Sequence, residues 1–284
     1  LKIESDMQAN DKQVTIPALQ QMKRDGQKIM GVVAWDVQMA RIAERAGVDM
    51  LIVGDSVGVN VWGHENPLEI TLDEMIIVSR AVRRGARRAL VCADMPFGSL
   101  QCGVQSAVEA GIRLVKEAGA DMIKLDGAAD YPEAIAALVK AGIPVMAQFG
   151  ITPQTALKYG IQYSNANGAL VSDAMVAQLV KDAKIMEAAG ASMIDFTNSG
   201  PVAGEAVCKA VDIPVIGGFG GGPWLDGRVR MAHAAIGYGA GNLDSELEQY
   251  ANVARTTLDA FTELFADVRA GRQIKGTPKA KAAV

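Results

Sequence analysis

The 284-residue chain reads as an α/β protein, a (β/α)8 TIM barrel in a single domain over residues 1–284, with residues 273–284 expected as a frayed tail. Eight short apolar runs alternate with amphipathic stretches. A phrase in which a helix ends in Ala-Gly and a short apolar strand follows recurs along the chain. The length also lies near the roughly 250 residues that one such barrel occupies.

Strands are expected near 29 to 34, 50 to 54, 89 to 94, 121 to 125, 144 to 149, 192 to 197, 213 to 217 and 229 to 232. They are continuous apolar runs rather than alternations, as suits a parallel sheet covered by helices. Helices are expected near 37 to 46, 72 to 84, 104 to 118, 132 to 141, 172 to 189, 202 to 210 and 246 to 270. The recurring phrase reads Ala46-Gly47-Val48-Asp49, Ala118-Gly119-Ala120-Asp121, Ala141-Gly142-Ile143-Pro144 and Ala189-Gly190-Ala191-Ser192. Glycine suits it because the residue just past a helix often takes positive φ, which costs glycine little. A doubly wound open sheet shares the alternation and differs in topology.

Composition narrows the function. A net charge of −4 spread over many residues offers no field to recruit nucleic acid or anionic lipid, so neither nucleic acid nor membrane is an expected partner. The basic run Arg83-Arg84-Gly85-Ala86-Arg87-Arg88 falls at a helix C-terminus, where cations complement the dipole. Cys92, Cys102 and Cys208 neither pair evenly nor show metal-ligand spacing, and the first residues lack a signal-peptide pattern. A cytoplasmic protein is expected.

A barrel builds its site where strands end and the following loops begin. Asp55 and Ser56 fall after the second strand, Asp94 at the end of the third, Lys124 and Asp126 at the fourth, Gln148 on the fifth, and Asp195 and Thr197 on the sixth. The pairs Lys124/Asp126 and Asp195/Thr197 are two apart, so each should share a face. Asp55 and Asp94, on neighbouring strands, approach each other at little net cost if a hard divalent cation sits between them. Magnesium suits one or two carboxylates and leaves positions for a chelating 2-oxo acid. Lys124 and the Ser56 hydroxyl would hold the substrate carboxylate. The competing reading makes Asp55 and Asp94 caps or strand ends and Asp126 a turn residue. The stretch Gly217-Gly218-Phe219-Gly220-Gly221-Gly222 reads as close backbone packing or a loop before it reads as a phosphate site. His64, after Trp62-Gly63, is either a residue that helps close the site or an exposed one.

At these residues the chain resembles the ketopantoate hydroxymethyltransferase (3-methyl-2-oxobutanoate hydroxymethyltransferase) family, from Val14 to Gly271. The resemblance rests on Val53-Gly54-Asp55-Ser56-Val57-Gly58, Thr71-Leu72-Asp73-Glu74-Met75, Ala93-Asp94-Met95-Pro96-Phe97-Gly98 and Ile123-Lys124-Leu125-Asp126-Gly127. Gly150-Ile151-Thr152-Pro153-Gln154, Asp226-Gly227 and Tyr250-Ala251-Asn252 add to it. It implies a (β/α)8 barrel, Mg2+, a 2-oxo acid substrate, 5,10-methylenetetrahydrofolate as one-carbon donor and a homo-oligomer, usually a decamer. It puts the metal on Asp55 and Asp94 with Asp126 as a third acidic position, and the substrate carboxylate on Ser56 and Lys124.

The chain departs from that pattern where the chemistry lies. It has Ala147-Gln148 for the family's Gly-His, Phe196-Thr197 for Leu-Glu, Asp126 for glutamate and His233-Ala234 for a late His-Asp. The replaced glutamate is the family's proposed base, and a general base commonly contributes 10²–10⁴ in rate. Asp195, on the face of Thr197, or a metal-activated water would have to substitute. Hydroxymethyl transfer therefore competes with an aldolase, lyase or tautomerase reaction on another 2-oxo acid, and with an inactive protein that binds metal and 2-oxo acid.

Overall fold

The computed structural model describes residues 12–160, 173–197, 200–218 and 222–276. Its strands are β1 (Ile29–Val33), β2 (Met50–Val53), β3 (Leu90–Asp94), β4 (Met122–Leu125), β5 (Val145–Gly150), β6 (Met193–Thr197), β7 (Val215–Gly217) and β8 (Gly227–Met231). They form a closed barrel in chain order. Neighbours from β1 to β8 pair in parallel, and the expected open-sheet alternative is excluded.

The helices are α1 (Ile16–Arg24), α2 (Val37–Arg45), α3 (Leu72–Gly85), α4 (Val104–Ala118), α5 (Pro132–Lys140), α6 (Asp173–Ala188), α7 (Gly200–Ala210), α8 (Ala232–Ala235) and α9 (Val253–Arg269). Their starts follow from capping chemistry. The Asp36 side chain accepts the N–H groups of Gln38 and Met39, and Thr71 with Glu74 forms a reciprocal capping box. Strands β2 to β4 are buried at every position, which accounts for their unbroken apolar character.

Some boundaries differ from the sequence expectation for physical reasons. Helix α1 was not expected; it buries only Leu19, too little to make a strong periodic signal. Helix α9 begins at Val253 rather than 246, where the Asn252 side chain accepts the Arg255 N–H. Strand β8 begins at Gly227, a residue that sequence rules treat as a strand breaker. There a Cβ would lie 2.2 Å from the Ile29 carbonyl oxygen, so the closing seam between β8 and β1 leaves no room for a side chain. Gly217 meets the same constraint, with a Cβ 2.3 Å from the Phe196 carbonyl oxygen. The first glycines of the glycine-rich stretch thus serve close packing, while residues 219–221 lie outside the described residues, as do 277–284 of the expected tail.

The Ala-Gly phrase acquires a second function. The aspartate that ends it precedes an even-numbered strand and accepts the N–H of the strand before: Asp49 from Met30 at 2.9 Å, and Asp121 from Val91 at 2.9 Å. Asp226 repeats the arrangement, accepting from Val215 at 2.8 Å. These carboxylates satisfy backbone donors at the end of the barrel opposite the polar ring. Asp226 also pairs with Lys23, whose ammonium donates to the carbonyls of Val211 and Ile213.

Contacts divide the chain into two units, Leu1–Arg230 and Met231–Val284. Within the second, the rings of His233 and Tyr238 stack 4.4 Å apart, and α9 exposes Leu258, Phe261, Phe265 and Val268. No helix among the described residues is long and apolar enough to cross a membrane.

Asp121→Ala would leave the buried Val91 N–H and the Arg83 guanidinium without their shared acceptor. The variant should be less stable by about 2 kcal/mol, read as a melting temperature roughly 4–8 °C lower by calorimetry.

Candidate active site

The polar ring forms because β3 and β4 are in register at Asp94 and Lys124, and β5 and β6 at Gln148 and Asp195. The Lys124 Nζ lies 3.0 Å from Asp94 Oδ2 and 3.6 Å from Asp195 Oδ2, so one ammonium sits between two carboxylates on different strands. Asp55, just past β2, donates its backbone N–H to Asp94 Oδ2 at 3.2 Å. Gly54 makes that approach possible: a Cβ there would lie 3.0 Å from Ser56 Oγ and 3.8 Å from Asp94 Oδ2. Ser56 is half-buried, whereas Asp55, Asp94, Lys124, Asp126, Gln148, Asp195 and Thr197 are buried.

The loop that carries Asp55 continues into a π-helical turn, Gly58–Trp62. His64 closes it, donating its N–H to the Gly58 carbonyl and packing its ring where a Gly58 Cβ would be 2.5 Å from Nδ1. Trp62 meets that ring edge-on. His64 is half-buried and braces the loop, between the two roles expected for it.

Gln154 was not singled out as a site residue, and it joins two that were. Its backbone N–H donates to Asp126 Oδ2 at 3.1 Å, while its side-chain amide donates to Asp55 Oδ2 at 2.8 Å and to the Met95 carbonyl at 3.3 Å. Thr152 adds a side-chain hydrogen bond to Asp126. The available signal was the stretch Gly150-Ile151-Thr152-Pro153-Gln154, which follows β5 at the barrel end where sites form. Thr197 is tied to its neighbour strand, its hydroxyl donating to the Phe149 carbonyl at 2.9 Å.

Charge at this mouth is unbalanced. Burial raises the Asp55 carboxyl to about 7, with Asp94 adding to the rise and Lys124 opposing it. Burial likewise raises Asp126 to about 7 against its hydrogen bonds from Thr152 and Gln154. Burial lifts Asp94 and Asp195 as well, with Lys124 pulling both back. For Lys124 burial favours the neutral amine, but Asp94, Asp195 and Asp55 outweigh it and hold the ammonium charged. Asp94 Oδ1, Asp126 Oδ1 and Asp195 Oδ1 are buried with no hydrogen-bond partner. Unpaired acceptors of this kind are costly unless a cation or a ligand donor meets them.

Among the described residues, no three His, Cys, Asp or Glu side chains converge to chelate a metal by themselves. Asp55 and Asp94, linked through Asp55 N–H, offer a two-carboxylate, all-oxygen set. That fits magnesium, which keeps waters and substrate oxygens in its other positions.

The family description "Ketopantoate hydroxymethyltransferase" matches residues 13–273. The chain belongs to the ketopantoate hydroxymethyltransferase family. It is 38% identical over 251 residues to the 3-methyl-2-oxobutanoate hydroxymethyltransferase of Geobacillus kaustophilus, covering 87% of each chain. It is 36% identical over 265 residues to that of Cytophaga hutchinsonii, covering 93% of this chain and 96% of the relative. Among solved structures, phosphonopyruvate hydrolase aligns with a TM-score of 0.59 at 17% identity, over 95% of this chain and 92% of that one. For 2,3-dimethylmalate lyase the TM-score is 0.58 at 15% identity, over 94% and 92%. These two structures share the fold. The relatives of the ketopantoate hydroxymethyltransferase family are transferases, and this chain is an enzyme of that family.

The raised acid at Asp126 predicts a pH dependence. Its folded value of about 7 exceeds the ordinary 3.8, so between those values the folded chain holds more protons than the unfolded one. Stability from this group is fully present below about 3.8 and is lost as pH rises through about 7. In chelator, Asp126→Asn should therefore gain stability relative to the parent on going from pH 5 to pH 8 in urea denaturation. An equal difference at both pH values would contradict the assignment.

Proposed function

We propose that this chain carries out metal-dependent enolate chemistry on a small 2-oxo acid, transferring a hydroxymethyl group from 5,10-methylenetetrahydrofolate. The observation that carries the reading is the Asp55, Asp94 and Lys124 cluster at the barrel mouth, in a chain of the ketopantoate hydroxymethyltransferase family. Asp55 and Asp94 would hold Mg2+, and Asp126 supports that pair through Gln154. Bound there, the cation supplies a Lewis acid for the charge that develops on the substrate keto oxygen.

The side chains do the rest. Lys124, kept charged among its carboxylates, attracts the substrate carboxylate, and the half-buried Ser56 hydroxyl donates to it. The buried surroundings exclude water and strengthen these contacts. Gln148 presents an amide, able to donate and accept, at the level of Asp195. Thr197 fixes the end of β6 through the Phe149 carbonyl. The proposal extends to a cytoplasmic homo-oligomer. Free Cys92, Cys102 and Cys208 agree with a reducing compartment, and the apolar face of α9 with burial against another copy.

A second reading, another reaction of the same enolate without folate, is favoured by Thr197 where the family pattern has a carboxylate. Incubation with Mg2+, 5,10-methylenetetrahydrofolate and 2-oxoisovalerate, 2-oxobutyrate or pyruvate separates the two. A hydroxymethylated 2-oxo acid detected by mass spectrometry is expected, falling at least about 10²-fold in Asp94→Asn. No such product from any of the three acids, with folate-independent turnover of one, would establish the second reading.

A further inference from the structure

The ring contains more buried carboxylates than metal ligation and substrate holding use. Asp55 and Asp94 are committed to the cation, and Asp126 has one oxygen engaged by Gln154 and Thr152 on the loop side of the ring. Asp195 is left over. It is 4% exposed, its Oδ1 has no hydrogen-bond partner, and its Oδ2 lies 3.6 Å from the ammonium that also contacts Asp94. Lys124 therefore engages the Oδ2 side of Asp195 and leaves Oδ1 as the oxygen open to a substrate proton.

We propose that Asp195 is the general base of this chain, a carboxylate moved two residues down β6 from the position that Thr197 occupies. The inference rests on the function proposed above. Residues 195 and 197 share a face of the strand, and the shift is one pleat, about 6.6 Å towards the barrel interior. Thr197 cannot take the part itself, because a hydroxyl is not basic at neutral pH and this one donates to the Phe149 carbonyl. Lys124 links the two functions: its ammonium, which would hold the substrate carboxylate, lies 3.6 Å from Asp195 Oδ2, so the base and the bound acid share one buried ring. Burial raises the Asp195 carboxyl above its ordinary value, with Lys124 opposing the rise.

In the step itself, an Asp195 oxygen takes a proton from C3 of the 2-oxo acid. The electron pair of the C–H bond becomes the C2–C3 π bond, and the π pair of the keto group moves onto its oxygen. Reversal in deuterated water returns a deuteron from the Asp195 carboxyl to C3, so exchange reports the base without the one-carbon donor.

The test follows loss of the C3 proton signal of 2-oxobutyrate by NMR in D2O with Mg2+, using the full chain. Asp195→Asn should lower exchange by about 10²–10⁴. Its Mg2+ binding by calorimetry should stay within about twofold of the parent, which a merely structural residue would not leave intact. Formate added to Asp195→Ala should restore part of the rate, as should Thr197→Glu placed in the Asp195→Asn background. Exchange in Asp195→Asn within about threefold of the parent, or loss only in Asp126→Asn, would overturn the assignment while leaving the proposed function standing. Absence of exchange in the parent with 2-oxobutyrate, pyruvate and 2-oxoisovalerate would remove the enolate reading and this base with it.

Discussion

Four buried carboxylates, Asp55, Asp94, Asp126 and Asp195, face the one buried ammonium among the described residues, that of Lys124. Ionised together they leave an excess of negative charge where water cannot screen it: burial raises the pKa of all four, and neighbouring carboxylates add to the rise at Asp55, Asp126 and Asp195. A fold tolerates such a cluster when function needs it. A divalent cation between Asp55 and Asp94 relieves part of the repulsion, and a substrate carboxylate can then approach Lys124. The same excess suits Gln154 to its place between Asp126 and Asp55: its backbone N–H donates to Asp126 and its neutral side-chain amide to Asp55, satisfying both without adding charge.

The barrel makes this concentration possible. Each carboxylate belongs to a different strand or strand end, and the parallel register brings Asp94 level with Lys124 and Gln148 level with Asp195. At the opposite end, the aspartates of the recurring phrase do structural work, pairing backbone donors of adjacent strands. The two sets of aspartates look alike in composition. They differ in burial and in the oxygens left without a partner, which fall on Asp94, Asp126 and Asp195 and not on Asp49, Asp121 or Asp226.

Most of this could be read from the residues because a parallel barrel converts sequence order directly into spatial order. Apolar runs gave the strands, and the polar residues that ended them gave the ring. The elements that sequence reading misplaced are those with weak periodic signals or with glycine in the pairing: α1 buries little, and β8 starts at a residue chosen for close approach to Ile29. Gln154 was invisible as a bridge because its role depends on the path of the loop after β5, which periodicity does not encode. The engagement of Thr197 with Phe149 was hidden in the same way, since it depends on the register between β5 and β6.

The most direct test of the central claim is electron paramagnetic resonance of Mn2+ titrated into the protein, with and without oxalate as a 2-oxo acid mimic. The account predicts stoichiometric binding, a change in the spectrum when oxalate is added, and loss of both in Asp94→Asn. Undiminished Mn2+ binding in that variant, or a bound-metal spectrum that ignores oxalate, would contradict a site in which Asp94 and a chelating acid share the cation.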